Sequence, residues 1–159
     1  MTTFAPCLWF DDQAEQAAEL YCSLFPNSRI VSTVRYPEGT PGQAGSVMLV
    51  TFEIDGFQVQ ALNGGPHFTF SPAVSLVATV ADQEELDRVW DGLLADGGEP
   101  SQCGWLTDRF GFSWQVVPQG MEEMASDPER YGRAMRAVMG MVKLDIAAIE
   151  AAADGRVPA

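Results

Sequence analysis

The sequence predicts an α+β fold: two βαβββ modules forming a pseudo-symmetric cup of antiparallel and mixed sheet, with a C-terminal helix added. The first observation is a near repeat. LWFDDQAEQAAELYCSLF (8–25) and LVATVADQEELDRVWDGLL (76–94) share an apolar run, an acidic Asp-Gln step and an amphipathic helix. The helical stripe Ala17, Leu20, Tyr21, Leu24 and Phe25 returns 69 residues on as Leu86, Val89, Trp90, Leu93 and Leu94. The second observation is GFQVQAL (56–62) against GFSWQVV (111–117), at an offset of 55. Two copies of one unit, neither able to bury its apolar face alone, predict a single pseudo-symmetric domain over 1–159. The space between such copies is a natural place for a ligand.

The elements follow in order. A strand over about 4–10 opens module one (about 4–63), and Asp11 or Asp12 is expected to cap the helix that runs to about Phe25. Pro26-Asn27 stops that helix. SRIVSTVRY (28–36) is rich in β-branched residues and reads as a strand. PEGTPGQAG (37–45) has no periodicity and reads as a loop. SVMLVTFEI and FQVQALN flank Asp55-Gly56, a hairpin signal. GGPHFTFSP (64–72) links to module two (about 73–118). There the same order predicts a strand over about 73–80, a helix over about 82–95, and strands over about 99–103, 105–109 and 112–118. In the extension (about 120–153) a short turn of helix precedes a long one. Asp127-Pro128 supplies an N-cap with proline at the first helical position. Met135, Val138, Met139, Val142, Ile146 and Ile149 form its apolar stripe, in which methionines are packing residues.

Composition narrows the function classes. The formal charge of −13 argues against nucleic acid, whose phosphates need clustered cations. Arg130, Arg133, Arg136 and Lys143 alternate with apolar residues at helical spacing, as on a solvated helix face. No apolar run approaches the roughly 18 residues of a membrane span, and no basic leader region precedes Asp11, so a cytoplasmic protein with no membrane partner is expected. Cys7, Cys22 and Cys103 are odd in number and lack CxxC spacing, which predicts neither a disulfide framework nor a zinc knuckle.

Period-two alternation sorts the strand residues. Phe57, Val59, Ala61 and Phe112, Trp114, Val116 form apolar faces that the two helices are expected to cover. So do Val74, Leu76, Ala78 and Val80 on the fifth strand. The opposite faces carry Gln58, Gln60, Leu62, then Ser113, Gln115, Val117, then Ser75, Val77, Thr79. Neutral polar groups among apolar ones suit a small-molecule cleft. They suit equally an open sheet face in water.

The doubled βαβββ unit, with DDQAEQAAELYCSLFPNSRI, ALNGGPHFTF and CGWLTDRFGFSWQVVP, resembles the vicinal oxygen chelate superfamily of glyoxalases, bleomycin-resistance proteins and extradiol dioxygenases. More narrowly it resembles the PhnB-like branch, often labelled 3-demethylubiquinone-9 3-methyltransferase, from about Phe4 to Ile149. The resemblance implies a glyoxalase-like cup and a homodimer. In metal-dependent members two His and two Glu, from the first, fourth, fifth and eighth strands, hold a divalent ion. Carried over, those positions hold Pro6 or Ala5, Gln60, Ser75 and Gln115. Amides, a hydroxyl and a proline supply neither charge nor imidazole, so neither a metal nor another cofactor is expected.

Other residues of chemical interest each have a plainer reading. His67, the single histidine, suits acid–base work at a cleft mouth, or an exposed loop. Cys103 suits a thiol nucleophile only beside a group that lowers its pKa, and otherwise packs. Glu53 and Asp108 precede the two matched turns and are either paired acids or turn residues. Trp105 is an aromatic cleft wall or core. The methyltransferase label lacks its usual signature. The first strand runs into Asp11-Asp12-Gln13 with no glycine, whereas a doubly wound cofactor fold has a Gly-rich turn there. The sequence therefore predicts a metal-independent small-molecule binding protein, with Gln58, Gln60, Ser75, Trp105, Ser113 and Gln115 contacting the ligand. The rival readings are an enzyme of the same fold using His67, and an interaction module working through its C-terminal helix.

Overall fold

The computed structural model describes residues 1–156 and contains two compact units, Met1–Phe70 and Ser71 onward. Unit 1 contains β1 (Cys7–Phe10), α1 (Ala14–Leu24), β2 (Arg29–Arg35), β3 (Val47–Ile54) and β4 (Phe57–Asn63). Its sheet has the order β1-β4-β3-β2, with β1 and β4 parallel and the other pairs antiparallel. Asp55 and Gly56 both have positive φ (46° and 80°), as the predicted two-residue hairpin turn requires. One face of the sheet is dry. Val50, Phe52, Val59 and Ala61 are fully buried beneath Ala14, Ala17, Ala18 and Tyr21 of α1. The small alanines let the helix approach closely, while Tyr21 fills the space beside Phe52 (ring centroids 6.1 Å apart).

Unit 2 repeats the plan with β5 (Ser75–Val80), α2 (Gln83–Leu94), β6 (Glu99–Pro100), β7 (Trp105–Thr107) and β8 (Ser113–Pro118), in the sheet order β5-β8-β7-β6. Leu86, Val89, Trp90 and Leu93 of α2 are buried with Leu106, Trp114 and Val116 of the sheet. Asp82 caps α2 by accepting from the Glu85 amide at 2.9 Å. Glu85 in turn accepts from the Ala81 amide, just before the cap, at 2.8 Å, so its side chain ties the entering chain to the first turn.

Three expectations change. Neither Asp11 nor Asp12 caps α1: the Ala14 amide donates to Asn63 Oδ1 at 2.8 Å, so the end of β4 supplies the cap across the unit. The strand expected over 99–103 shrinks to Glu99–Pro100, because Cys103 and Gly104 turn the chain at positive φ (59° and 81°). The long C-terminal helix is instead α4 (Pro128–Val138) and α5 (Ile146–Ala153), preceded by α3 (Met121–Met124). The helix stops because Leu144 turns inward to 2% exposure beside Gly104, and Asp145 restarts it as the N-cap of α5. Met139 and Val142, expected in an apolar stripe, lie in the connection and are exposed. Asp127 and Pro128 cap α4 as predicted.

Candidate functional site

Register places the polar sheet residues. In unit 2, Trp105 and Gln115 are direct cross-strand partners, as are Thr107 and Ser113. Opposed residues project to one side, so these four share the face turned away from α2. Ser75 of β5 joins them: Gln115 Nε2 donates to Ser75 Oγ at 2.9 Å. Ser113 is 2% exposed, while Ser75, Trp105 and Gln115 are half-buried. The structure thus brings together all four site residues predicted for module two.

In unit 1, Gln60 lies opposite Cys7 and Thr51, and Gln58 opposite Glu53. Gln60 is half-buried and Gln58 exposed. The registers also correct the alignment of the two modules. Gln60 pairs with Cys7, and its counterpart Gln115 pairs with Val77, so the strands match at an offset of 70 while the helices match at 69. The difference arises in the strand–helix connections: residues 11–13 in unit 1 against 81–82 in unit 2. Ala5, rather than Pro6, is therefore the counterpart of Ser75. Pro6 instead spends its carbonyl on the Gln60 amide, at 2.9 Å.

The other candidates resolve individually. Asp108 is 3% exposed and accepts from the Phe110 and Phe112 amides at 2.9 and 3.0 Å and from Trp114 Nε1 at 2.9 Å, so it holds its turn together. Glu53 pairs with Arg29 at 2.9 Å on the surface. Cys103 occupies a turn, its thiol 3.7 Å from Met139 Sδ. Burial pushes the Cys7 thiol up, away from the reactive thiolate.

His67 is exposed on a loop, with its amide donating to Gly65 O at 2.9 Å. It borders a cleft of about 480 Å³ within unit 1, whose wall also contains Asp11, Asp12, Glu15, Tyr36 and Asn63. Sequence reasoning missed this cleft. Its wall comes from the β1–α1 connection, the residue after β2 and the loop after β4, which no contiguous motif joins. The one available signal was Gly64: a Cβ there would lie 2.2 Å from the Trp9 ring, and Trp9 Nε1 donates to Gly65 O at 2.9 Å. Among the described residues no group of three or more His, Cys, Asp or Glu side chains is placed to hold a metal ion.

Comparison with known proteins agrees with this geometry. A family model described as 3-demethylubiquinone-9 3-methyltransferase matches residues 2–117. No curated protein matches. Among solved structures, the chain is 36% identical to the PhnB protein of Bacillus cereus, with a TM-score of 0.67, over 74% of this chain and 99% of that one. A Pseudomonas aeruginosa protein is 20% identical at a TM-score of 0.60, over 74% and 98%. The fosfomycin resistance protein FosX of Listeria monocytogenes is 15% identical at 0.57, over 77% and 94%, a likeness of fold.

Proposed function

Because the chain belongs to the 3-demethylubiquinone-9 3-methyltransferase (PhnB-like) family of the vicinal oxygen chelate superfamily, we propose that it binds a small organic molecule without a metal ion. The Gln115–Ser75 hydrogen bond carries this reading. Two of the four positions where metal-dependent members hold their ion are a neutral amide and a hydroxyl, bonded to each other on an open sheet face. The other two are Gln60 and Ala5. That donor set lacks the charge and imidazole that bind zinc, nickel or iron, and does not fit such an ion. Methyl transfer is no part of the proposal: β1 passes into α1 through Asp11-Asp12-Gln13, not through the Gly-rich turn of a doubly wound cofactor fold. A ligand found by screening is expected to bind with unchanged affinity after exhaustive chelation. Affinity restored only by an added divalent ion contradicts the proposal.

One observation favours an enzymatic alternative, which is that His67 borders a cleft rather than open surface. If His67 acts as acid or base, His67→Asn lowers turnover of an identified substrate by about 100-fold or more with little change in its Kd. Equal turnover removes this reading. The proposal also includes a homodimer in a cytoplasmic setting. Ile30, Val31 and Val34 are exposed along the edge strand β2, which supports an interface there. Light scattering is expected to give twice the chain mass; the monomer mass contradicts it.

A further inference from the structure

The open face of unit 2 constrains what it binds. Charge decides first. Its strand residues facing away from α2 are hydroxyl-bearing, apolar or amide, with one carboxylate, Glu99, exposed on the edge strand opposite Thr107. An anionic ligand leaves water only against a cation, and this face offers none in a chain of charge −13. A cationic ligand needs a carboxylate out of water, but Glu99 stays exposed on the edge strand, two strands from Gln115, and Asp108 is buried and bonded to three N–H groups.

Hydrogen bonding decides next. A primary amide has two N–H donors and a carbonyl acceptor. Gln115 gives one N–H to Ser75, which leaves its second N–H as a donor and its carbonyl as an acceptor. That pair matches the C=O and N–H of a carboxamide or lactam, and leaves a donor unused against a simple ketone or ether. The ring decides last. Trp9 and Trp114 both have indole N–H partners, and both meet another aromatic ring. Trp105, the direct neighbour of Gln115, has neither among the described residues and is half-buried. A half-buried indole without an aromatic partner, beside an amide, is suited to stack on a flat ring.

We infer that this face takes an uncharged planar ring bearing a carboxamide or lactam edge, stacked on Trp105 and read by Gln115 with Ser75. The inference rests on the small-molecule reading above and narrows it to one ligand class. The test titrates isotope-labelled full-length protein, followed by NMR, with benzamide, benzoate and cyclohexanecarboxamide. Benzamide is expected to move the Trp105 indole and Gln115 side-chain amide signals, and to bind about tenfold more tightly than either analogue. Trp105→Leu is expected to abolish the preference over cyclohexanecarboxamide but keep that over benzoate; Gln115→Leu is expected to do the reverse. Preserved signal dispersion in either variant confirms that it is folded, and each tests the inference without the other. Equal binding of the three probes on this face overturns the ligand class and leaves the small-molecule reading standing. If no probe moves a signal on either open sheet face, both fail. Shifts confined to unit 1 overturn the assignment to Trp105 and Gln115.

Discussion

Asp108 shows how one residue becomes indispensable without touching a ligand. Its carboxylate is removed from water and offset by the N–H groups of Phe110, Phe112 and Trp114. Asp108→Ala strands those donors inside the unit and is expected to cost about 3 kcal/mol, measured by urea unfolding. Asp108→Asn keeps an acceptor oxygen and is expected to cost less. A loss below about 0.5 kcal/mol for the alanine variant would contradict the buried network. The sequence showed Asp108 only as an acid before a turn, matched by position to Glu53. It did not separate them, because both lie on or just after a strand next to a sheet edge, and only the partners each carboxylate meets decide its burial. Glu53 faces Arg29 of exposed β2, whereas Asp108 accepts the in-plane indole N–H of Trp114.

Among the elements, α1 and the C-terminal extension depend on contacts distant in sequence. The amide of Ala14 is capped by Asn63, 49 residues away, so Asn63→Ala is expected to destabilise unit 1 by about 1 kcal/mol and Asp12→Ala by much less. Equal losses would return the cap to the local acid. The extension lies beyond the family match, which ends at residue 117, and it is tied back onto α2. Gln83 donates to Leu144 O at 3.2 Å and accepts from the Ile146 amide at 2.9 Å, while Lys143 pairs with Asp87 at 2.8 Å. The hydrogen bond from Lys143 holds the Asp87 carboxyl below its usual range, and the same bond raises Lys143. The Asp87 contribution is thus present above its unfolded pKa of about 3.9 and lost as pH falls through the lower folded value. The Lys143 contribution is present below about 10.4 and lost as pH rises through the higher folded value. Hydrogen exchange of residues 143–149 is expected to be flat between about pH 5 and 9, after correction for intrinsic rates, and in Asp87→Asn to be faster throughout. No difference between the proteins would contradict the latch. Periodicity revealed helix here but not the break near Gly140, since the break depends on Leu144 finding the space over Gly104.

At the scale of the whole molecule, the doubled βαβββ plan was legible because both copies keep the same strand order and bury matched helix positions at Ala17 and Leu86 and at Tyr21 and Trp90. Phe57 marks the limit of that reading: it alternates correctly with Val59 and Ala61 yet is 51% exposed at the turn end of β4. The candidate site was legible in part: in unit 2 strand alternation groups Ser75, Ser113 and Gln115 on one face, and Trp105 joins them only through its cross-strand register with Gln115. The His67 cleft was not, being assembled from three separated segments. Among the described residues no helix is long and apolar enough to cross a membrane. The central claim is that this member of a metal-binding superfamily uses neutral groups where relatives place ligands to an ion. Elemental analysis of protein purified without chelators or affinity metals tests it most directly. The account predicts transition metal far below one equivalent per chain, with ligand binding intact. One tightly held ion per chain, lost together with ligand binding when Gln115 is replaced by Leu, would contradict it.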